Sequence, residues 1–172
     1  IQAFYFFYDA FDINGIHLTD NDWVAAFNGD VCVGSRKWDL ANCQGGVCDI
    51  PVMGNDGNTW SSNYLLPGDI PTFKIYIFSE DKYYDAIPSQ NFPWENFGLL
   101  MIDNIQANIY GCTDPNATNF SEEATFDDGS CDLGIPDLFN YEQSTLQSFY
   151  FFYDAFDLNG IHLTPSDWVG AF

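Results

Sequence analysis

The densest set of oxygen ligands in the sequence lies between two cysteines. Residues 111–132 read GCTDPNATNFSEEATFDDGSCD, with Asp114, Asn116, Asn119, Glu122, Glu123, Asp127 and Asp128 between Cys112 and Cys131. Carboxylates and amides at short, irregular spacing with a glycine nearby suit Ca2+, which takes its many oxygens in a flexible shell. Mg2+ demands a stricter octahedron and keeps its waters. The expected ligands are Asp114, Glu123, Asp127 and Asp128, with Asn116 and Asn119 as either ligands or glycan acceptors. Asn116-Ala-Thr118 and Asn119-Phe-Ser121 are the only glycosylation sequons of the chain, and an acceptor must sit on a surface loop. A glycosylated Asn is a poor cation ligand, so the two roles compete. The EF-hand spacing is absent, and an acidic, disulfide-closed turn without an ion is the alternative.

Magnitudes separate the parts. Closing the 18 residues between Cys112 and Cys131 is worth roughly 3 kcal/mol in the loop-entropy account. Calcium at ~1 mM, bound with an affinity of about 0.1–1 mM, adds roughly 0.4–1.4 kcal/mol. The disulfide would hold such a loop, and calcium would stiffen it.

Five cysteines occur: Cys32, Cys43, Cys48, Cys112 and Cys131. No C-x-x-C pair is present, so zinc is not expected. In a secreted protein the expected pairs are Cys112–Cys131 and Cys43–Cys48. Cys32–Cys43 and Cys32–Cys48 are rivals, because connectivity is not written in spacing. The odd Cys32 is expected as a small buried residue of a strand.

Catalytic patterns are not found. His17 and His162 are one repeated position, and Asp20 near the first becomes Pro165 near the second. No nucleophile elbow or phosphate-cradling glycine pattern appears. Acid pairs can be drawn at will from 25 carboxylates, so none specifies glycoside hydrolysis. The chain is expected not to be an enzyme. Asp9, Asp12, Asn14 and Asp22 recur in the second copy; a second calcium site is conceivable there, but a turn at Asp12-Ile-Asn-Gly15 explains most of the pattern.

The loop sequence Gly111-Cys-Thr-Asp-Pro-Asn-Ala-Thr-Asn-Phe120, followed by Ala124-Thr-Phe-Asp-Asp-Gly-Ser-Cys131, resembles a repeat of large secreted and surface proteins of marine and freshwater microbes. Its usual form is close to GCTDPxAxNYxxxAxxDDGSC, with Phe120 standing where Tyr is usual. Asp22-Trp-Val-Ala-Ala-Phe-Asn-Gly-Asp-Val-Cys-Val-Gly34 and Asp69-Ile-Pro-Thr-Phe-Lys-Ile-Tyr76 also look like a domain of such proteins. The resemblance implies an extracellular or cell-surface, multi-domain, non-catalytic protein, in some cases a fibril builder.

Charge narrows the partners. The chain carries 25 acids against 4 bases, a net charge of -21, and residues 83–172 contain no Lys or Arg. Nucleic acid and anionic membranes both need a basic surface. No apolar run is long enough for a membrane helix. Aromatic residues make up 19% of the chain, enough to build a core despite the charge.

The chain repeats itself. Residues 2–27 and 147–172 match at 21 of 26 positions, offset by 145. A period that long means whole domains in tandem rather than solenoid units. The sequence is expected to be a window on a longer polymer. The alternative is that the partial copy lends strands to a neighbouring molecule.

These motifs need elements to hold them, and the elements read as strands. The aromatic run Gln2–Phe11 favours a strand, and Asn14-Gly15 marks a tight turn. Trp23–Phe27 and Val31–Trp38 flank Asn28-Gly29-Asp30 as a hairpin. Cys48–Met53 contains Pro51, which belongs at a sheet edge. Thr72–Ser79, Lys82–Ile87 and Leu99–Ile109 complete the set. The expected fold is all-β, a β-sandwich (Ig-like or jelly-roll-like), with a small disulfide-closed, calcium-binding loop module.

The expected divisions are 1–110 for the sandwich, as a first copy lacking its first strand, and 111–132 for the loop module. Residues 133–146 are a linker or the first strand of the next copy, where Phe139 and Tyr141 interrupt a linker-like stretch. Residues 147–172 begin a second copy. The function expected is a structural repeat of an extracellular filament, its partners being neighbouring copies and attached glycans. A carbohydrate-binding module stacking sugars on Trp23, Trp38, Trp60, Tyr64 or Trp94 is the alternative, with packing of these rings against the core preferred.

Overall fold

The computed structural model describes residues 1–43, 46–135, 139–140, 142, 145–146 and 148–171. Tyr141, and Gln147 and Phe172 at the ends of the second copy, lie outside them. By packing, the chain divides into two compact units, Ile1–Tyr110 with Glu123–Phe126 and Gly111–Glu122 with Asp127–Phe172.

The chain is all-β. Strands β1 (Gln2–Phe11), β2 (Trp23–Asn28), β3 (Val31–Lys37), β4 (Cys48–Met53), β5 (Thr72–Ile77), β6 (Lys82–Pro88) and β7 (Leu99–Asn108) form one mixed sheet in the order β3-β2-β5-β6-β7-β1-β4. Two short strands, β8 (Tyr110–Gly111) and β9 (Phe126–Asp127), pair separately. A 3-10 turn at Thr59–Ser61 lies in the polar loop before β5. Among the described residues no helix is long and apolar enough to cross a membrane.

The large sheet folds back on itself. Its terminal strands β3 and β4 are not ladder partners, yet they lie side by side. Gly34 permits this, since a Cβ there would stand 2.0 Å from the carbonyl oxygen of Pro51. Arg36 latches the seam: its Nε donates to the Asp49 carbonyl at 2.7 Å and its Nη2 to the Asp49 carboxylate at 2.6 Å. The packed layers of the expected sandwich are therefore parts of one continuous sheet. Pro51 sits on an edge strand, as its missing donor requires.

The inward faces supply the core: Ala3, Tyr5, Phe7 and Ala10 of β1, Val24 and Ala26 of β2, Ile50 and Val52 of β4, Phe73, Ile75 and Ile77 of β5, and Ile102, Ile105 and Ala107 of β7. Tyr5 and Phe7 both meet Phe73 edge-on, at 5.8 and 5.5 Å. Tyr5 donates its hydroxyl to the Phe92 carbonyl, and burial pushes its phenol well above the ordinary tyrosine value. Strict alternation would next bury Asp9. Instead β1 and β7 change phase at the same level, so that Ala10 is buried beside Ile105. An unpaired buried carboxylate costs several kcal/mol, which a small apolar residue avoids.

Trp38 and Trp94 are buried in this core, and Trp94 Nε1 donates to the Val52 carbonyl at 2.9 Å. Cys32 departs from expectation. Its position in β3 points outward, and it is an exposed free thiol rather than a buried residue.

Candidate functional site

The Cys112–Cys131 disulfide closes the acidic loop, and Cys43–Cys48 is the second bridge. Disulfides persist in oxidising compartments, which places the protein outside the cytoplasm.

Inside the loop, where Cys112 and Ala117 are buried, short polar side chains hold the turns. Asp114 Oδ1 accepts from the Asn116 backbone N–H and side-chain amide, both at 2.9 Å. Asp127 Oδ1 accepts from Gly129 N at 2.8 Å, and Asp128 Oδ1 from Ser130 N at 2.9 Å. These are Asx turns, in which a carboxylate mimics a backbone carbonyl. The Ser130 hydroxyl and then its N–H hold the Asp128 carboxyl below the ordinary aspartate value.

Asn119 spans the two arms: its Oδ1 accepts from Asp132 N and its Nδ2 donates to the Ser130 carbonyl, each at 2.7 Å. Thr118 ties the same arms through its N–H and its hydroxyl, both donated to Asp132. Asp132 was not among the expected ligands; its position immediately after Cys131 is the only sequence signal for it.

The expected cation ligands are distributed as follows. Asp114, Asn116, Asn119, Asp127 and Asp128 belong to one compact unit, whereas Glu123 packs with the sandwich unit. Among the described residues no three His, Cys, Asp or Glu side chains converge as a metal-holding group. As placed, the Asp114, Asp127 and Asp128 carboxylates accept from the N–H groups of their own turns. Both sequon asparagines are exposed. Asn119 is committed at both amide atoms, which leaves Asn116 the less encumbered acceptor.

A second constellation lies on the outer face of β2, β3, β5 and β6. Trp23, Ala25 and Phe27 alternate along β2, and Lys74 and Tyr76 along β5. With Tyr83, Ser35 and Cys32 they line a shallow pocket of about 380 Å³. Tyr76 and Tyr83 stack at 4.7 Å, and the Lys74 ammonium lies 5.9 Å from the centre of the Phe27 ring. Lys74 also pairs with Asp85. Tyr83 is 74% exposed and Trp23 41%. Of the rings that the carbohydrate-binding alternative would use, Trp38 and Trp94 are inaccessible, while Trp60 is exposed and packs edge-on against Tyr64. The outward period-2 positions around Trp23 carried a signal for Tyr76 and Tyr83 that Trp-counting misses.

The recurring acids near the histidines are structural. Asp12 Oδ1 accepts from the N–H groups of Asn14 and Ile16, each at 2.8 Å, and Gly15 takes φ +74. His17 stacks on Phe11 at 4.7 Å with Asp9 3.4 Å away, and is largely exposed. Buried Asp22 accepts from Thr19 through one oxygen and from Phe78 N through the other. Asp12 and Asp22 thus each hold a turn of their own. Comparison with models of protein families, with curated proteins and with solved structures finds no match.

Proposed function

We propose that the chain is a non-catalytic structural repeat of an extracellular or cell-surface filament, in which each sandwich is joined to the next copy. The observation that carries this reading is the near-identity of residues 2–27 and 147–172 across a 145-residue period, a length that only a whole domain explains. The two disulfides and the surplus of acids fit a durable extracellular surface that repels nonspecific partners. The resemblance of residues 111–131 to a repeat of microbial surface proteins points the same way.

In this reading the loop module is the joint, stiffened by its disulfide and, as a further part of the proposal, by Ca2+ on Asp127 and Asp128 together with oxygens of Asp114 or Asn116. Asn116 is the proposed glycan acceptor. Electron microscopy of the purified protein with and without EDTA tests it: fibres that lose stiffness on chelation are expected. Monodisperse globules in both conditions would sink the filament reading.

A carbohydrate-binding module is the second reading, favoured by the exposed Trp23 and Tyr83 and the half-buried Tyr76 around a concave pocket with a charged pair at its side. Glycan binding lost on Trp23→Ala and kept on Trp60→Ala would support it.

A further inference from the structure

We infer that the trough on the outer face of β2, β3, β5 and β6 binds an uncharged, extended glycan, a linear chain of equatorially linked hexoses lying across the strands. This rests on the carbohydrate reading of that face and adds the class of ligand.

Register builds the trough from three rows of outward residues. Lys37, Trp23, Tyr76 and Tyr83 stand side by side on four strands, and the next row is Ser35, Ala25, Lys74 and Asp85. Beyond it come Cys32, Phe27 and Thr72. Successive rows are about 7 Å apart, because every second residue of a strand points outward. The outer rows carry the rings, whereas β2 contributes only a methyl group to the middle row, at Ala25. A hollow of about 380 Å³ opens over it. Since the rows cross the strands, so does the hollow.

The second copy keeps this pattern in its sequence. Trp23 and Phe27 return as Trp168 and Phe172, and Ala25 returns as Gly170. The one change in this stretch makes the floor smaller, which keeps such a trough open.

The walls and the floor differ in chemistry. Tyr76 and Tyr83 stack at 4.7 Å, and the Tyr76 hydroxyl is fixed by donation to Asp81 at 2.7 Å. Rings held in place offer flat apolar surfaces to the C–H faces of a sugar at little entropic cost. The middle row supplies Lys74 paired with Asp85, a donor and an acceptor side by side, which suits neighbouring hydroxyls. A peptide fits less well. Lying across the strands, it would meet no sheet edge and leave its backbone N–H and C=O groups unpaired. Charge decides against an acidic glycan. Lys74 is neutralised by Asp85, and Lys37 is offset by Asp81 beside Tyr76. The trough is thus close to neutral within a chain of net charge -21, whose field repels anions.

The test is affinity electrophoresis of the full chain in gels containing hydroxyethylcellulose or glucomannan, both uncharged, or carboxymethylcellulose, an anionic counterpart. Retardation by an uncharged polymer is expected, with weaker or no retardation by carboxymethylcellulose. Trp23→Ala or Tyr83→Ala should weaken binding about fivefold, the worth of one ring contact. Ala25→Leu fills the trough without removing a ring and should abolish binding, whereas Ala25→Gly should not. Cys32 reports on the site in the unaltered protein. It lines the trough as a free thiol, and the other four cysteines are bridged, so the retarding polymer should slow its alkylation severalfold. Unchanged alkylation would overturn the site. Retardation by carboxymethylcellulose as strong as by the uncharged polymers would overturn the class of ligand and leave the carbohydrate reading standing. No retardation by any of the three removes both, while the filament reading is judged separately by microscopy.

Discussion

Residues 2–27 and 147–172 are almost the same sequence in two structures. In the first copy the segment makes β1 and β2 and buries Tyr5, Phe7, Val24 and Ala26. In the second, among the described residues, no strand forms, and Tyr150, Phe152 and Val169 are exposed. The turn between them is nonetheless the same in both. Asp157 accepts from Asn159 N and Ile161 N at 2.8 Å, as Asp12 does from Asn14 and Ile16. Asp167 holds Thr164 at 2.7 and 2.8 Å, as Asp22 holds Thr19. Phe156 stacks on His162 as Phe11 does on His17, and Gly160 takes φ +77 beside +74 at Gly15. Local hydrogen bonds travel with the sequence, whereas strands exist only where a neighbour completes them.

Paired substitutions sharpen this contrast. Phe7→Ala should cost about 3–5 kcal/mol, the range for a buried aromatic truncation, whereas Phe152→Ala should leave urea denaturation of dilute protein unchanged. Equal losses would mean that the second segment is buried in solution. Asp22→Ala comes next. It removes a buried carboxylate that accepts from Thr19 and from Phe78 N, and should cost about 2–3 kcal/mol; Asp167→Ala should change global stability by less than about 0.5 kcal/mol.

Glycine replacement tests the shared part. Gly15→Ala should cost about 1–2 kcal/mol, because an L side chain is disfavoured at positive φ. Gly160→Ala should weaken its own turn similarly, read from the amide shift of Ile161, without moving the global transition.

The smallest effect is in pH. The Ile161 and Asn159 amides hold the Asp157 carboxyl below the ordinary aspartate value. A group whose folded value is lowered stabilises the turn above its unfolded value and loses that contribution as pH falls through the folded one. The Ile161 amide shift should therefore titrate below the usual aspartate range, and a midpoint at or above it would break the turn assignment.

The strands were legible because aromatic and β-branched runs are bounded by turn residues, as at Asn14-Gly15 and Asn28-Gly29. Pro51 marked an edge. What sequence patterns left open was the change of face between Phe7 and Ala10, the outward Cys32, and the closure of β3 on β4. Each depends on residues far apart in the chain. Spacing also grouped Glu123 with Asp127 and Asp128 as cation ligands, although Glu123 packs with the other unit.

By itself, then, the sequence determined the repeat, the all-β class and the turns that recur at Asp12 and Asp157. Those turns close within a few residues, so their hydrogen bonds need nothing from elsewhere. Only the tertiary structure decided which strands flank Gln2–Phe11 and which of its rings face the core. A strand's backbone groups and apolar face are satisfied by partners, and for β1 those partners, β4 and β7, are supplied by distant parts of the chain.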